Sequence, residues 1–136
     1  MSNKKTVLIV DDSKLMRLII RKILSVDSNF EIIAEASNGI EALKEIEKQV
    51  PDLILLDIEM PEMDGVETLK QVRAKYSTKV IIVSSLAQVG SSRAAEVNQL
   101  GADAIVEKPG GAVDPTLIKE KGSEFITIAR KVSGLD

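Results

Sequence analysis

Leu53-Ile54-Leu55-Leu56-Asp57-Ile58-Glu59-Met60-Pro61-Glu62-Met63-Asp64-Gly65 joins a short apolar run to a carboxylate, a loop and the start of an amphipathic stretch. Successive apolar positions suit an extended segment covered on both faces, the pattern of a strand inside a parallel sheet. Asp57 closes that run. Gly65–Lys75 then repeats apolar residues at helical spacing, with Val66, Leu69 and Val72 on one side.

The same strand-then-helix unit recurs on either side. Thr6–Val10, Glu31–Ala36, Val80–Val83 and Ala104–Val106 are brief and rich in Val, Ile and Leu. Ser13–Ser25 sets Met16, Ile19, Ile20, Ile23 and Leu24 on one side, leaving Lys14, Arg17, Arg21 and Lys22 as an expected solvated face. Asn38–Gln49 does the same with Leu43, Ile46 and then Val50; Ser91–Leu100 does so more weakly with Ala94, Ala95, Val97 and Leu100. Asp114-Pro115, a capping residue before a first-turn proline, opens the last helix. Its expected buried stripe is Ile118, Phe125, Ala129 and Val132, and Gly122 marks where it could break, at about 1 kcal/mol relative to Ala. Five such units predict an α/β fold with a parallel sheet, right-handed crossovers and the second strand at an edge.

At 136 residues the chain has the length of one domain, and 44% hydrophobic with 29% charged content is that of a globular protein. A net charge of −3 gives no basic surface, so neither nucleic acid nor a membrane is expected as a direct partner. There is no Cys and no His, which excludes disulfides, thiol nucleophiles, imidazole-bound zinc and Ser-His catalysis. Met1–Lys5 lead straight into the first apolar run with no signal peptide, and no stretch is long enough to span a bilayer. A cytoplasmic location is therefore expected.

Ligands of such sheets bind at the carboxyl ends of the strands. Asp11 and Asp12 follow the first strand, Asp57 the third, Ser84 the fourth and Lys108 the fifth, with Glu59 two residues beyond Asp57. Carboxylates about 4 Å apart at an effective dielectric of about 20 repel by about 4 kcal/mol per pair. A cation must relieve this, or one group takes up a proton. Oxygen ligands select hard ions; Mg²⁺ fits a site with one or two carboxylates plus a phosphate, with Mn²⁺ as the alternative, and no twelve-residue calcium loop is present. Beside such an ion, an ammonium and a hydroxyl are partners for phosphate oxygens. Asp57, on the central strand, is the best placed carboxylate to attack phosphorus, with Asp12 holding the metal and Asp11 beside it.

Val10-Asp11-Asp12-Ser13, Leu56-Asp57 through Asp64-Gly65, Val83-Ser84-Ser85 and Glu107-Lys108-Pro109 together make the chain resemble the receiver domain of bacterial response regulators over residues 5–132. The resemblance implies a flavodoxin-like three-layer sandwich, strand order 2-1-3-4-5, with five helices. It implies that Asp57 accepts phosphate from a histidine kinase, and that Asp11, Asp12, Asp57 and the backbone carbonyl of Glu59 hold Mg²⁺. It further implies that Ser84 moves toward the phosphoryl group, that Lys108 pairs with it, and that a cis peptide precedes Pro109. Hydrolysis then resets the switch, and self-phosphorylation and self-dephosphorylation at Asp57 are the only catalysis expected of this chain. Asp57-Ile58-Glu59-Met60-Pro61, Ser84-Ser85-Leu86 and Lys108-Pro109-Gly110-Gly111 look most like the receiver of chemotaxis protein-glutamate methylesterases. That likeness implies a regulatory domain of a longer protein, or a stand-alone relative acting on a separate output. Many receivers carry an aromatic residue three positions before the lysine; here it is Ile105, which leaves signalling to Ser84 and the Leu86–Ser92 loop.

Plainer readings exist for each residue taken singly. Asp11, Asp12 and Ser13 could cap the first helix. Asp57 could end a strand in a turn, Ser84 could satisfy backbone groups, and Lys108 could be a surface lysine. Asp64 reads as a cap, Met60 and Met63 as packing residues. Among other activities, a phosphatase of the haloacid dehalogenase type needs a second Asp where Glu59 stands, and has Thr where Pro61 stands. A flavin carrier needs aromatics, which are 2% here, and Asp11-Asp12 would repel its phosphate. A phosphate-independent interaction module remains compatible with the free surface of the last strands and helix.

Overall fold

The computed structural model describes residues 4–85, 91–108 and 115–135, the stretch 115–121 by its backbone alone. In chain order the elements are β1 (Lys5–Val10), α1 (Lys14–Leu24), β2 (Phe30–Ala36), α2 (Gly39–Lys48) and β3 (Leu53–Leu56). They continue with α3 (Gly65–Lys75), β4 (Lys79–Ser84), α4 (Ser92–Gln99), β5 (Ala104–Glu107) and α5 (Pro115–Val132). All strand pairs are parallel, in the order β2-β1-β3-β4-β5. The sheet is therefore the expected one, with β2 at one edge.

Alternation along the strands divides the core in two. Leu8 and Val10, Ile54 and Leu56, Val80 and Ile82 pack with Ala42 and Ile46 of α2, Val66, Leu69 and Val72 of α3, and Val97 of α4. Val7 and Ile9, Leu53 and Leu55, Ile81 and Val83 pack instead with Ile20 and Leu24 of α1 and Phe125 and Ala129 of α5. The sheet is thus sealed on both sides, which explains the uninterrupted apolar strands. Truncating a fully buried Leu such as Leu55 would cost about 2–5 kcal/mol.

The edge strand breaks this alternation once. Val7 pairs with Ile32 but Leu8 with Ala34, so Ile33 is an extra residue in β2. Phe30 and Ile32 face α1 and α5, whereas Ala34 and Ala36 join the opposite cluster. A one-residue slip exchanges the two faces of a strand. Glu35 consequently presents its side chain to α1.

Capping follows the sequence closely. Ser13, Asn38, Asp64 and Ser91 each accept a backbone N–H from the first turn of the helix they precede. Three expectations are corrected. Arg17 leaves the solvated face, being 16% exposed and bound to Glu35, whereas Lys14, Arg21 and Lys22 stay exposed, Arg21 reaching Glu35 from the solvent side. Val50, two residues past the end of α2, and Ala95, off the stripe that α4 turns inward, are both exposed. α5 runs unbroken through Gly122, which packs against Ile23 of α1. Ile118, the Leu86–Gly90 part of the switch loop and the bond before Pro109 lie outside the described residues or side chains.

Candidate metal centre

The parity that builds the core also builds the site. Val7-Ile9-Asp11, Leu53-Leu55-Asp57 and Ala104-Val106-Lys108 each extend one side of their strand by one more alternate residue. The ladder carries on past the strand ends: Asp11 N–H donates to the Ala36 carbonyl (3.0 Å), Asp57 N–H to the Val10 carbonyl (2.9 Å), and Lys108 N–H to the Ser84 carbonyl (2.8 Å). The functional side chains therefore sit on fixed backbone.

Asp11, Asp12 and Asp57 each place a carboxylate oxygen within 4.8 Å of the other two. Asp11 and Asp57 are buried at 1% and 2% exposure, while Asp12 stands open to solvent. Lys108 Nζ lies 3.3 Å from Asp57 Oδ1 and 3.5 Å from Asp11 Oδ2. Among the described residues neither of those oxygens has a well-aligned hydrogen-bond partner, and the ammonium charge faces both. The remaining oxygen of Asp11 accepts the Ser13 N–H at 2.9 Å.

Burial pushes the Asp57 carboxyl up to about 6, the Asp11 charge adds to this, and Lys108 pulls it back. Burial likewise raises Asp11, against the Ser13 N–H and Lys108. Burial would lower Lys108, but the charges of Asp57 and Asp11 outweigh it and the net direction is up. One ammonium facing two buried carboxylates and a third exposed one leaves an excess of negative charge. Orphaned buried oxygens, an all-oxygen donor set and an open side fit a hard divalent cation such as Mg²⁺.

The loop after Asp57 is held by close contacts. Gly65 N–H donates to the Ile58 carbonyl at 2.7 Å, and a Cβ at Gly65 would collide with the Asp57 carbonyl and lie 2.8 Å from Ile58 Cα. Met63 N–H donates to the Pro61 carbonyl (2.7 Å) around Glu62, whose φ is +67°, a strained three-residue γ-turn. Arg93 of α4 reaches this loop, with Nη1 2.6 Å from Asp64 Oδ2 and Nε 3.8 Å from the exposed Glu59 carboxylate.

Asp11, Asp12, Asp57 and Lys108 are thus brought together as expected from the strand ends. Ser84 is fully buried at the end of β4, and its Oγ donates to the Ser85 carbonyl at 3.3 Å. The Glu59 side chain turns toward Arg93, which leaves only its backbone for the site. Ser13 fills both readings considered for it, capping α1 with its hydroxyl and orienting Asp11 with its N–H. Sequence reasoning missed Arg17, Arg93 and Gly65. The Asp64-Gly65 pair was a usable signal for the last; nothing local announced the two arginines.

A family model described as "Response regulator receiver domain" matches residues 7–119. The "Protein-glutamate methylesterase/protein-glutamine glutaminase 1" of Syntrophomonas wolfei subsp. wolfei is 39% identical over 132 residues, 96% of this chain and 38% of its own length. The chain therefore spans less than two fifths of that relative. The response regulator domain of Thermotoga maritima CheB superposes with a TM-score of 0.84 at 33% identity, covering 98% of both chains. A chain in the structure of the P1 domain of CheA3 with CheY6 from R. sphaeroides matches with a TM-score of 0.80 at 41% identity, covering 98% of this chain and 99% of that one. One in the CheX-CheY-BeF3-Mg+2 complex from Borrelia burgdorferi matches with a TM-score of 0.75 at 26% identity, covering 94% and 88%.

Proposed function

The chain belongs to the response regulator receiver domain family, and we propose that Asp57 is its phosphoacceptor, charged by a histidine kinase of a two-component, chemotaxis-type relay. The observation that carries this is the convergence of three carboxylates within 4.8 Å, with Lys108 over the middle one. Asp11, Asp12, Asp57 and the Glu59 backbone carbonyl are the residues to hold Mg²⁺. When bound, the ion supplies positive charge that offsets the carboxylates and the phosphoryl oxygens.

In the transfer, an Asp57 carboxylate oxygen forms a bond to phosphorus. The bond from phosphorus to the donor's imidazole nitrogen breaks, its electron pair stays with the nitrogen, and the product is an acyl phosphate. Lys108 holds charge against the acceptor throughout, and Ser84, at the end of β4, is the residue assigned to offer its hydroxyl to a phosphoryl oxygen. Hydrolysis reverses the state: water attacks phosphorus, the bond to Asp57 breaks, and inorganic phosphate leaves. The methylesterase relatives support a role as the regulatory domain of such an enzyme, or as a stand-alone relative with a separate output target; a cytoplasmic location is part of the same proposal. The chemistry assigned to this chain is limited to its own phosphorylation and dephosphorylation.

Incubation with Mg²⁺ and a small acyl-phosphate donor tests this. Intact-mass measurement is expected to find one added phosphoryl group, absent from Asp57→Asn and lost again with time. No adduct on the unaltered chain, or the same adduct on Asp57→Asn, would overturn the assignment.

A further inference from the structure

Arg17 lies one turn into α1, and its guanidinium folds back beneath the β1–α1 turn with only 16% of the side chain exposed. Nη1 donates to the Asp11 carbonyl at 2.5 Å and Nε to Glu35 Oε1 at 3.0 Å. The other Glu35 oxygen takes Nε and Nη2 of Arg21 at 2.9 and 2.6 Å. Two arginines on one carboxylate, reached only because the extra residue at Ile33 turns Glu35 toward α1, make a fixed anchor on the edge strand.

The consequence falls on Asp12. A peptide unit is planar, so the bond to the Asp11 carbonyl sets the plane that carries the Asp12 nitrogen and Cα. Asp11 N–H is already fixed to Ala36, and Asp11 Oδ1 to Ser13. Among the described residues no hydrogen bond or ion pair holds the Asp12 carboxylate itself, so its aim comes through the backbone.

We infer that Arg17 is a positioning residue of the divalent-cation site, anchored by Glu35 and aiming Asp12 through the Asp11–Asp12 peptide. The inference rests on the receiver reading above and adds a residue that touches neither metal nor phosphoryl group. It makes a prediction opposite in sign to simple electrostatics. Removing a cation near three carboxylates should tighten Mg²⁺ binding by relieving repulsion. Removing a positioning group should weaken it, because outer partners of metal ligands typically contribute 10–100-fold in affinity.

Calorimetric titration of Mg²⁺ into the full chain, with far-UV dichroism to confirm folding, separates the two. Arg17→Met is expected to bind Mg²⁺ about tenfold more weakly than the unaltered chain, with faster amide exchange at Asp12 and Ser13. Arg17→Lys, which keeps the charge and can satisfy one partner but not the fork, is expected to fall between them, and it decides the question if Arg17→Met does not fold. Equal or tighter binding by the folded Arg17→Met, or by Arg17→Lys where only that variant folds, overturns the inference. If the unaltered chain itself neither binds Mg²⁺ nor takes up a phosphoryl group, the receiver assignment fails instead.

Discussion

Lys108 Nζ sits 3.3 Å from Asp57 Oδ1, a buried oxygen without a well-aligned hydrogen-bond partner among the described residues. The lysine thus stabilises two internal carboxylates at once and leaves neither fully compensated. That arrangement is tolerable without a metal and improves when a cation arrives. It makes the site responsive.

Lys108→Met removes the charge shared by Asp11 and Asp57. Asp57, already near 6, is expected to titrate higher, since burial and the Asp11 charge then act unopposed by the ammonium. Metal-free stability at pH 8 should fall by about 2 kcal/mol, less than for a wholly buried pair because the lysine keeps some water. Urea denaturation at pH 8 and pH 5 checks this, with the smaller loss expected at pH 5, where the carboxylates can protonate.

The raised Asp57 carboxyl also sets a pH dependence. Its ordinary value is 3.8 and its folded value about 6. Below 3.8 both folded and unfolded forms hold the proton and the burial of Asp57 carries no ionisation penalty. As pH rises from there to about 6 the unfolded chain ionises first, so stability drops by up to about 3 kcal/mol and then levels off. Asp57→Asn should therefore be more stable than the unaltered chain at pH 8 without metal, with the gap closing toward pH 4. Thermal melts across that range measure it.

Gly65→Ala is expected to lose about 2–4 kcal/mol. The added methyl meets the Asp57 carbonyl and Ile58 Cα, which are backbone and cannot rotate away. Denaturation midpoints report the loss, and slower phosphorylation should accompany it because the strained peptide is that of Asp57.

Glu62 carries a positive φ of +67° outside the cluster of carboxylates. Glu62→Gly, which has no Cβ to clash at a positive φ, is expected to gain about 0.5 kcal/mol, and Glu62→Val to lose more than that. Neither change should alter the extent of phosphorylation. A denaturation series with a phosphorylation assay at fixed donor concentration tests both halves.

Much of this was readable from residue order. The four strand-end groups Asp11, Asp57, Ser84 and Lys108 could be picked out because alternation and run length locate strand ends. The caps at Ser13 and Asp64 were visible as a short oxygen side chain before a helical period, and Asn38 and Ser91 prove to cap by the same rule. Val50 and Ala95 went astray because spacing alone fixes neither where α2 stops nor which side of α4 turns inward.

Local periodicity, and the absence of His and Cys, are properties of the chain alone, so the parallel sheet and the carboxylate chemistry needed no coordinates. The grip of Arg17 and Arg21 on Glu35 is different. It depends on a single extra residue in β2, at Ile33, that exchanges the faces of the strand's second half. Whether a strand slips by one residue is settled by its partner's register and the packing on both sides. Those are long-range terms, and they come into being only when the sheet closes.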